Sequence, residues 1–208
     1  MTGVVVQVSV SAGSVPNRAI NCGAVTLGGI AGDGWRHPQF HGIPKRAVLL
    51  ITAEGLGEIN HMGFAVYPGA LGENLTTRGL DRRALRIGQR FRCGTATIQL
   101  TEVRFPCDTI SIYGQGIQAA IYDVRAMKGD PTSEVWGLSG FYASVLEGGV
   151  VLPDDQSKRD LVHYQLDLDF VFDACTISSA PCFRRFSTFL YLHHGEVVKF
   201  NGAGIGNP

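Results

Sequence analysis

A chain of 208 residues is long enough to bury one sizeable core and too short for two of ordinary size. Its 18 basic and 18 acidic residues cancel, so neither nucleic acid nor an anionic membrane is expected as a partner, although a local basic pocket stays open. A hydrophobic share of 45% beside 17% charged residues is that of an ordinary globular domain, and 27 glycines suggest many tight turns between short strands.

The first apolar run, residues 4–10, alternates apolar with polar positions, is short, and has no Lys or Arg before it. It predicts a strand, not a signal peptide or a membrane span. With no secretory start and an odd count of five cysteines, a disulfide framework is not expected, and the expected location is the cytoplasm. For the same reason the acceptor pattern Asn74-Leu75-Thr76 carries no consequence.

Residues 46–52 form an almost continuous apolar run suited to a buried strand, leading into residues 53–62, where Leu56, Ile59 and Met62 fall on one helical face. Alternation returns over 85–92 and 95–103, predicting two further strands. Residues 115–127 space Ile117, Ile121, Val124 and Met127 for a helix that stops before Gly129-Asp130-Pro131. A late strand over 141–146 then turns at Gly148-Gly149 towards Val150-Val151-Leu152. Many short strands with two or three helices predict a mainly β, barrel-like α+β domain. The expected organisation is a barrel domain over 1–155 and a C-terminal extension over 156–208, in which 167–172 has β periodicity and 201–208 is loop-like.

Among candidate chemical groups, Cys107 stands in Arg104-Phe105-Pro106-Cys107. A thiol acts as ligand or nucleophile only as the thiolate, which a nearby cation such as Arg104 favours, and thiolate sulfur selects soft or borderline metals. Its bland alternative is a small buried hydrophobe. The string Glu73-Asn74-Leu75-Thr76-Thr77 offers a carboxylate, an amide and hydroxyls that could read a hydrogen-bonding heterocycle, or could satisfy their own turn. His41 and Arg46 flank the entry to the buried strand, where either could meet a phosphate, and His41 could equally be a surface or capping residue. Asp33 reads as a turn residue with no chemistry, and Cys22 and Cys93 read as core. A zinc site from Cys175, Cys182, His193 and His194 is disfavoured, because six residues separate the two cysteines. No phosphate loop, His-Glu-x-x-His run or nucleophile elbow is present.

Taken together, these landmarks resemble the MOSC domain, the module named after the C-terminal part of molybdenum cofactor sulfurases. In family order they are Val8-Ser9-Val10-Ser11 with Gly13 and Val15-Pro16; Gly29-Ile30-Ala31-Gly32-Asp33; His41-Gly42; Lys45 to Leu50 with Glu54; Pro68 to Thr77; Leu85-Arg86-Ile87-Gly88; Arg104 to Cys107; and Gly137 to Ala143. Two departures stand out. Ile43 replaces a frequent second glycine after His-Gly, and Pro153-Asp154-Asp155 replaces a Pro-Gly-Asp turn near the family's end.

The resemblance implies a β-barrel that binds molybdenum cofactor, with the metal held by the pterin's dithiolene and the Cys107 sulfur. His41, Arg46, Glu73, Asn74, Thr76 and Arg104 would then bind the cofactor, with Arg104 and Arg46 towards its phosphate. The implied activity is reduction of hydroxylamines, amidoximes or N-hydroxylated bases, with electrons from a separate reductase, since the chain has no flavin, haem or iron–sulfur motif. An alternative is a non-catalytic carrier of the cofactor or of sulfur, with Cys107 holding a persulfide. A third is a barrel that serves only as an interaction module. The pyridoxal-phosphate desulfurase of sulfurases has no room in this chain, so no pyridoxal phosphate is expected.

Overall fold

In the computed structural model, residues 1–34 and 43–159 are described in full, together with the backbone of residue 160 and of strands 190–193 and 196–199. The chain divides into two compact units, Met1–His163 and Tyr164–Pro208. Among the described residues, no helix is long and apolar enough to cross a membrane.

The first unit is built around β1 (Thr2–Val10), whose pairing partner is offset between Val5 and Gln7. This bulge changes the side-chain phase, so Val5 and Val8, three residues apart, both reach the core with no exposure. Short strands β2 (Arg18–Ile20), β3 (Gly23–Thr26) and β4 (Gly29–Ile30) follow. A single 3-10 turn, Pro44–Arg46, precedes β5 (Val48–Thr52), and every residue of β5 is buried. The expected helix is present as α1 (Ala53–His61), whose first turn is capped by Thr52 Oγ1, which accepts from the Gly55 amide at 3.1 Å.

Next come β6 (Leu75–Arg78), β7 (Arg90–Cys93) and β8 (Ala96–Val103). The strand expected over 85–92 is thus confined to its end. A 3-10 turn at Arg82–Ala84 and a turn at Gly88, whose φ is 88°, occupy the earlier part, and the Gly88 amide donates to Leu100 at 2.8 Å. The single helix expected over 115–127 is two, α2 (Ile117–Ile121) and α3 (Val124–Met127). Tyr122 between them is extended, and Asp123 accepts from the Ala126 amide at 2.7 Å, capping a new helix instead of continuing the old one.

The unit is completed by β9 (Phe141–Glu147), β10 (Gly149–Val151) and β11 (Gln156–Asp160). In the main sheet the order is β11-β7-β8-β9-β5-β6-β1-β2, and β11 also pairs with β1, which closes seven strands into a barrel. The β5–β6 pair is parallel and the other pairings within the ring are antiparallel. The barrel is therefore mainly β, as composition and periodicity predict. The change of character at Gln156 falls at the start of the strand that closes the ring.

The barrel interior is filled by Val5, Val8, Leu50, Leu75, Phe91, Ile98, Leu100 and Phe141. A second apolar cluster, centred on Leu56, Ile59, Leu71, Ile110, Ile117 and Leu138, packs α1 and α2 onto the outer layer. Cys93 lies in the barrel core as expected, but Cys22 is exposed in the turn between β2 and β3, so its core reading is corrected. In the second unit, β12 (Leu190–His193) and β13 (Glu196–Lys199) form an antiparallel hairpin. Cys175, Cys182 and His194, and the segments 167–172 and 201–208, lie outside the described residues.

Candidate functional site

The site forms where six segments meet: the loop after β1 from Ser11 to Asn17, the Asp33–Gly34 turn, Arg46 and Leu49 around the start of β5, the Leu71 to Asn74 loop, the Arg104 to Thr109 segment after β8, and Tyr142 near the start of β9. The Arg104 segment is fixed from behind. Its backbone amide donates to Gly140 at 2.9 Å, and Ser139 Oγ donates to the Arg104 carbonyl at 2.6 Å. Gly140 has a φ of 96°, and a Cβ there would stand 2.9 Å from the Leu50 carbonyl, so only glycine lets this loop lie against β5.

Cys107 is half-buried, with its sulfur 2.7 Å from Thr109 Oγ1 and 3.8 Å from Arg104 Nη2. Burial disfavours its charged form, but the Thr109 hydroxyl, the Arg104 charge and the backbone amides of Thr109 and Cys107 together outweigh that effect and hold the thiol below its ordinary value. Arg104 is 3% exposed, and its Nη1 is buried with no hydrogen-bond partner among the described residues.

The sequence-predicted residues divide around this centre. Asn74 and Arg46 join Cys107 and Arg104 in lining one cavity of about 290 Å³. Asn74 Oδ1 accepts from the Leu49 amide at 3.0 Å, and its Nδ2 donates to Ser9 at 3.3 Å and to Asp33 Oδ2 at 2.8 Å. Its amide donors thereby join β1 to the Asp33 turn, and its oxygen ties in β5. Arg46 pairs with Glu102, its Nη2 donating to Oε2 at 3.1 Å, and stacks over Tyr142 with its guanidinium 5.4 Å from the ring centre.

Glu73 and Thr76 face inward, with no exposure. Glu73 accepts from the Gly69 amide at 2.6 Å, the Leu71 amide at 3.1 Å and Thr76 Oγ1 at 3.1 Å. Burial pushes its carboxyl to titrate above the ordinary carboxylate range, while these donors pull the other way. Neither residue lines the cavity; they hold its wall. Gly69 permits this, with a φ of 91°, since a Cβ there would come within 2.4 Å of the Asn17 carbonyl. His41 lies outside the described residues.

Several cavity residues were not singled out by sequence reasoning. Asp33, read as a turn residue, lines the cavity while accepting from the Ser11 amide at 2.8 Å and from Asn74. Its carboxyl is pushed above the ordinary range chiefly by burial. Tyr142 lines the cavity between Arg46 and Arg104, and burial raises its hydroxyl above the usual phenol range against the pull of both guanidiniums. The signal was present in Gly137 to Ala143, a landmark whose tyrosine had no role assigned. Among the described residues, no cluster of three or more His, Cys, Asp or Glu could hold a metal by itself. Among the described residues that line the cavity, Cys107 is the one soft donor.

The structure is thus a closed β-barrel domain that presents a cation-flanked thiol at a cavity. Residues 37–158 match the family described as the MOSC domain, and the chain belongs to the MOSC family. It is similar to the YflK protein of Bacillus subtilis, 32% identical over 129 residues, which are 59% of this chain and 51% of YflK. It is also similar to the YiiM protein of Escherichia coli, 34% identical over 83 residues, 38% of this chain and 37% of YiiM. The matched part thus spans about half or less of these relatives. The crystal structure of the Bacillus subtilis YuaD protein superposes with a TM-score of 0.57 at 23% identity, covering 76% of this chain and 94% of YuaD, a likeness of fold.

Proposed function

We propose that this chain is a molybdenum-cofactor-binding oxidoreductase of the cytoplasm that reduces N-hydroxylated compounds, with Cys107 Sγ as the protein ligand of the metal. The observation that carries the reading is a soft donor and a buried cation side by side: Cys107 Sγ lies 3.8 Å from Arg104 Nη2, while Arg104 Nη1 is buried without a hydrogen-bond partner among the described residues. A buried charged donor left unpaired is costly, and an anionic ligand in the cavity would complete it. Family membership supports the same reading.

The residues present fit the cofactor in kind. Thiolate sulfur suits molybdenum better than a hard oxygen would, and Arg104 and Arg46 suit its anionic end. When bound, the cofactor supplies the two-electron redox chemistry. The protein's part is position and charge: Thr109 and Arg104 orient the Cys107 sulfur, Asn74 and Asp33 fix the opposite wall, and Tyr142 Oη holds a proton at the cavity between the two arginines. In the overall reaction the N–O bond breaks, and two electrons and two protons convert the N-hydroxyl compound into its parent amine or amidine plus water. The electrons come from a separate reductase.

The test is metal analysis of the protein purified from cells that supply the cofactor, joined to turnover of an amidoxime with dithionite as donor. Stoichiometric molybdenum with turnover is the expected result. Molybdenum without turnover would instead favour a cofactor carrier, and absence of molybdenum would overturn the reading.

A further inference from the structure

Cys107 also lines a second cavity of about 700 Å³, which shares Arg46, Cys107, Asp108 and Tyr142 with the first. The first presents Ser11, Asp33, Asn74 and Arg104; the second presents the aromatic and apolar side chains Phe105, Tyr122, Met127 and Ile87 beside Thr101, Glu102 and Lys128. Phe105 is 67% exposed although apolar, and meets Tyr122 edge to face with ring centres 5.4 Å apart. Met127 is 57% exposed and Ile87 43%. Aromatic and thioether side chains kept in contact with solvent around one concavity of ligand size mark a binding site for an apolar, flat body.

Resting on the reductase reading above, we infer that this second cavity is the substrate vestibule, and that Phe105, Tyr122 and Met127 select N-hydroxylated substrates carrying an aromatic ring. The ring lies against Phe105 and Tyr122, and its N-hydroxyl group is directed to the residues that both cavities share, Arg46, Cys107, Asp108 and Tyr142. Hydroxylamine itself or a methyl-substituted analogue leaves that apolar wall uncovered and gains nothing from it. A cavity of this volume is far larger than such molecules need.

The experiment uses a matched pair, benzamidoxime and acetamidoxime, which carry the same reacting group with and without a ring. Binding to the protein purified from cofactor-supplying cells is measured by calorimetry without reductant, so that no turnover occurs. Benzamidoxime is expected to bind at least about tenfold more tightly than acetamidoxime. Phe105→Ala should remove most of that preference, Phe105→Leu should remove part of it, and acetamidoxime affinity and molybdenum content should not change. Phe105 is exposed, so its removal does not threaten the fold. Equal affinity for the two compounds, or a preference untouched in Phe105→Ala, overturns the vestibule. Turnover with dithionite is then scored separately, two electrons and two protons converting each amidoxime into amidine and water. Ring preference without reduction would keep the vestibule and remove the reductase reading; reduction without ring preference would do the reverse.

Discussion

Cys107 is where side-chain identity bears most directly on the proposed chemistry, because a hydroxyl of nearly the same size cannot supply a soft donor. Cys107→Ser is expected to abolish molybdenum retention while leaving the thermal unfolding midpoint within a few degrees of wild type, since the side chain is only half-buried; metal analysis beside a melting curve reads both. Retained molybdenum in that variant would remove Cys107 as ligand. Arg104 should matter through its shape as well as its charge. It spans the Cys107 sulfur and an unpaired buried Nη1, and a lysine offers one point charge where a planar fork stood. Arg104→Lys is expected to weaken cofactor binding by about one to two powers of ten, the value of a lost charge-assisted hydrogen bond of roughly 1.5–3 kcal/mol. Titration of the apoprotein with cofactor measures it. These two residues were legible because they stand three apart in one short motif and are chemically unusual together. Tyr142 and Asp33 were not, since only the closure of the barrel brings β9 and the Asp33 turn to the same cavity.

At the scale of elements, what the sequence reveals depends on how each strand is stabilised. β1, β5, β8 and β9 bury apolar side chains, so alternation or a continuous apolar run discloses them. β6 hides its nature because buried Thr76 and Thr77 replace apolar residues, with Thr76 satisfied by Glu73. β11, Gln-Ser-Lys-Arg-Asp, has no apolar residue and is held by backbone pairing to β1 and β7. The turn leading into β11 carries the departure Pro153-Asp154-Asp155. Asp154 has a φ of 70°, a conformation suited to the glycine that the family often has, and its amide donates to Val5 at 2.8 Å. Asp154→Gly is therefore expected to leave stability within about 0.5 kcal/mol, relief of the backbone offsetting the entropy of the freer unfolded chain. Asp154→Val should lower it by about 1–2 kcal/mol in urea denaturation, because a β-branched side chain tolerates this region poorly. Equal stability of the glycine and valine variants would show that the turn relaxes without cost.

For the whole molecule, the ring is complete only because β11 joins β1 to β7, and one buried contact at that seam responds to pH. Cys93 on β7 is opposite Ser157 on β11, with the sulfur 3.4 Å from Ser157 Oγ, and both are fully buried. Burial pushes the Cys93 thiol up from an ordinary value of 9.0 to about 11, against the smaller opposing effect of the Ser157 hydrogen bond. The sign of the consequence follows from comparing the two states. Below pH 9 the thiol is protonated whether the chain is folded or not, and it makes stability no function of pH. Between about 9 and 11 the unfolded chain releases the proton and the folded chain does not, so the unfolded state gains progressively. By pH 11 the loss is roughly 2–3 kcal/mol, a large share of a small domain's total. Cys93→Ala is expected to begin less stable at pH 7, having lost its packing in the core, yet to fall less steeply above pH 9 than wild type. Urea denaturation of the two proteins from pH 7 to 11 should bring their stabilities together as pH rises. Parallel curves over that range would mean that the seam opens locally and lets the thiol ionise without unfolding the barrel.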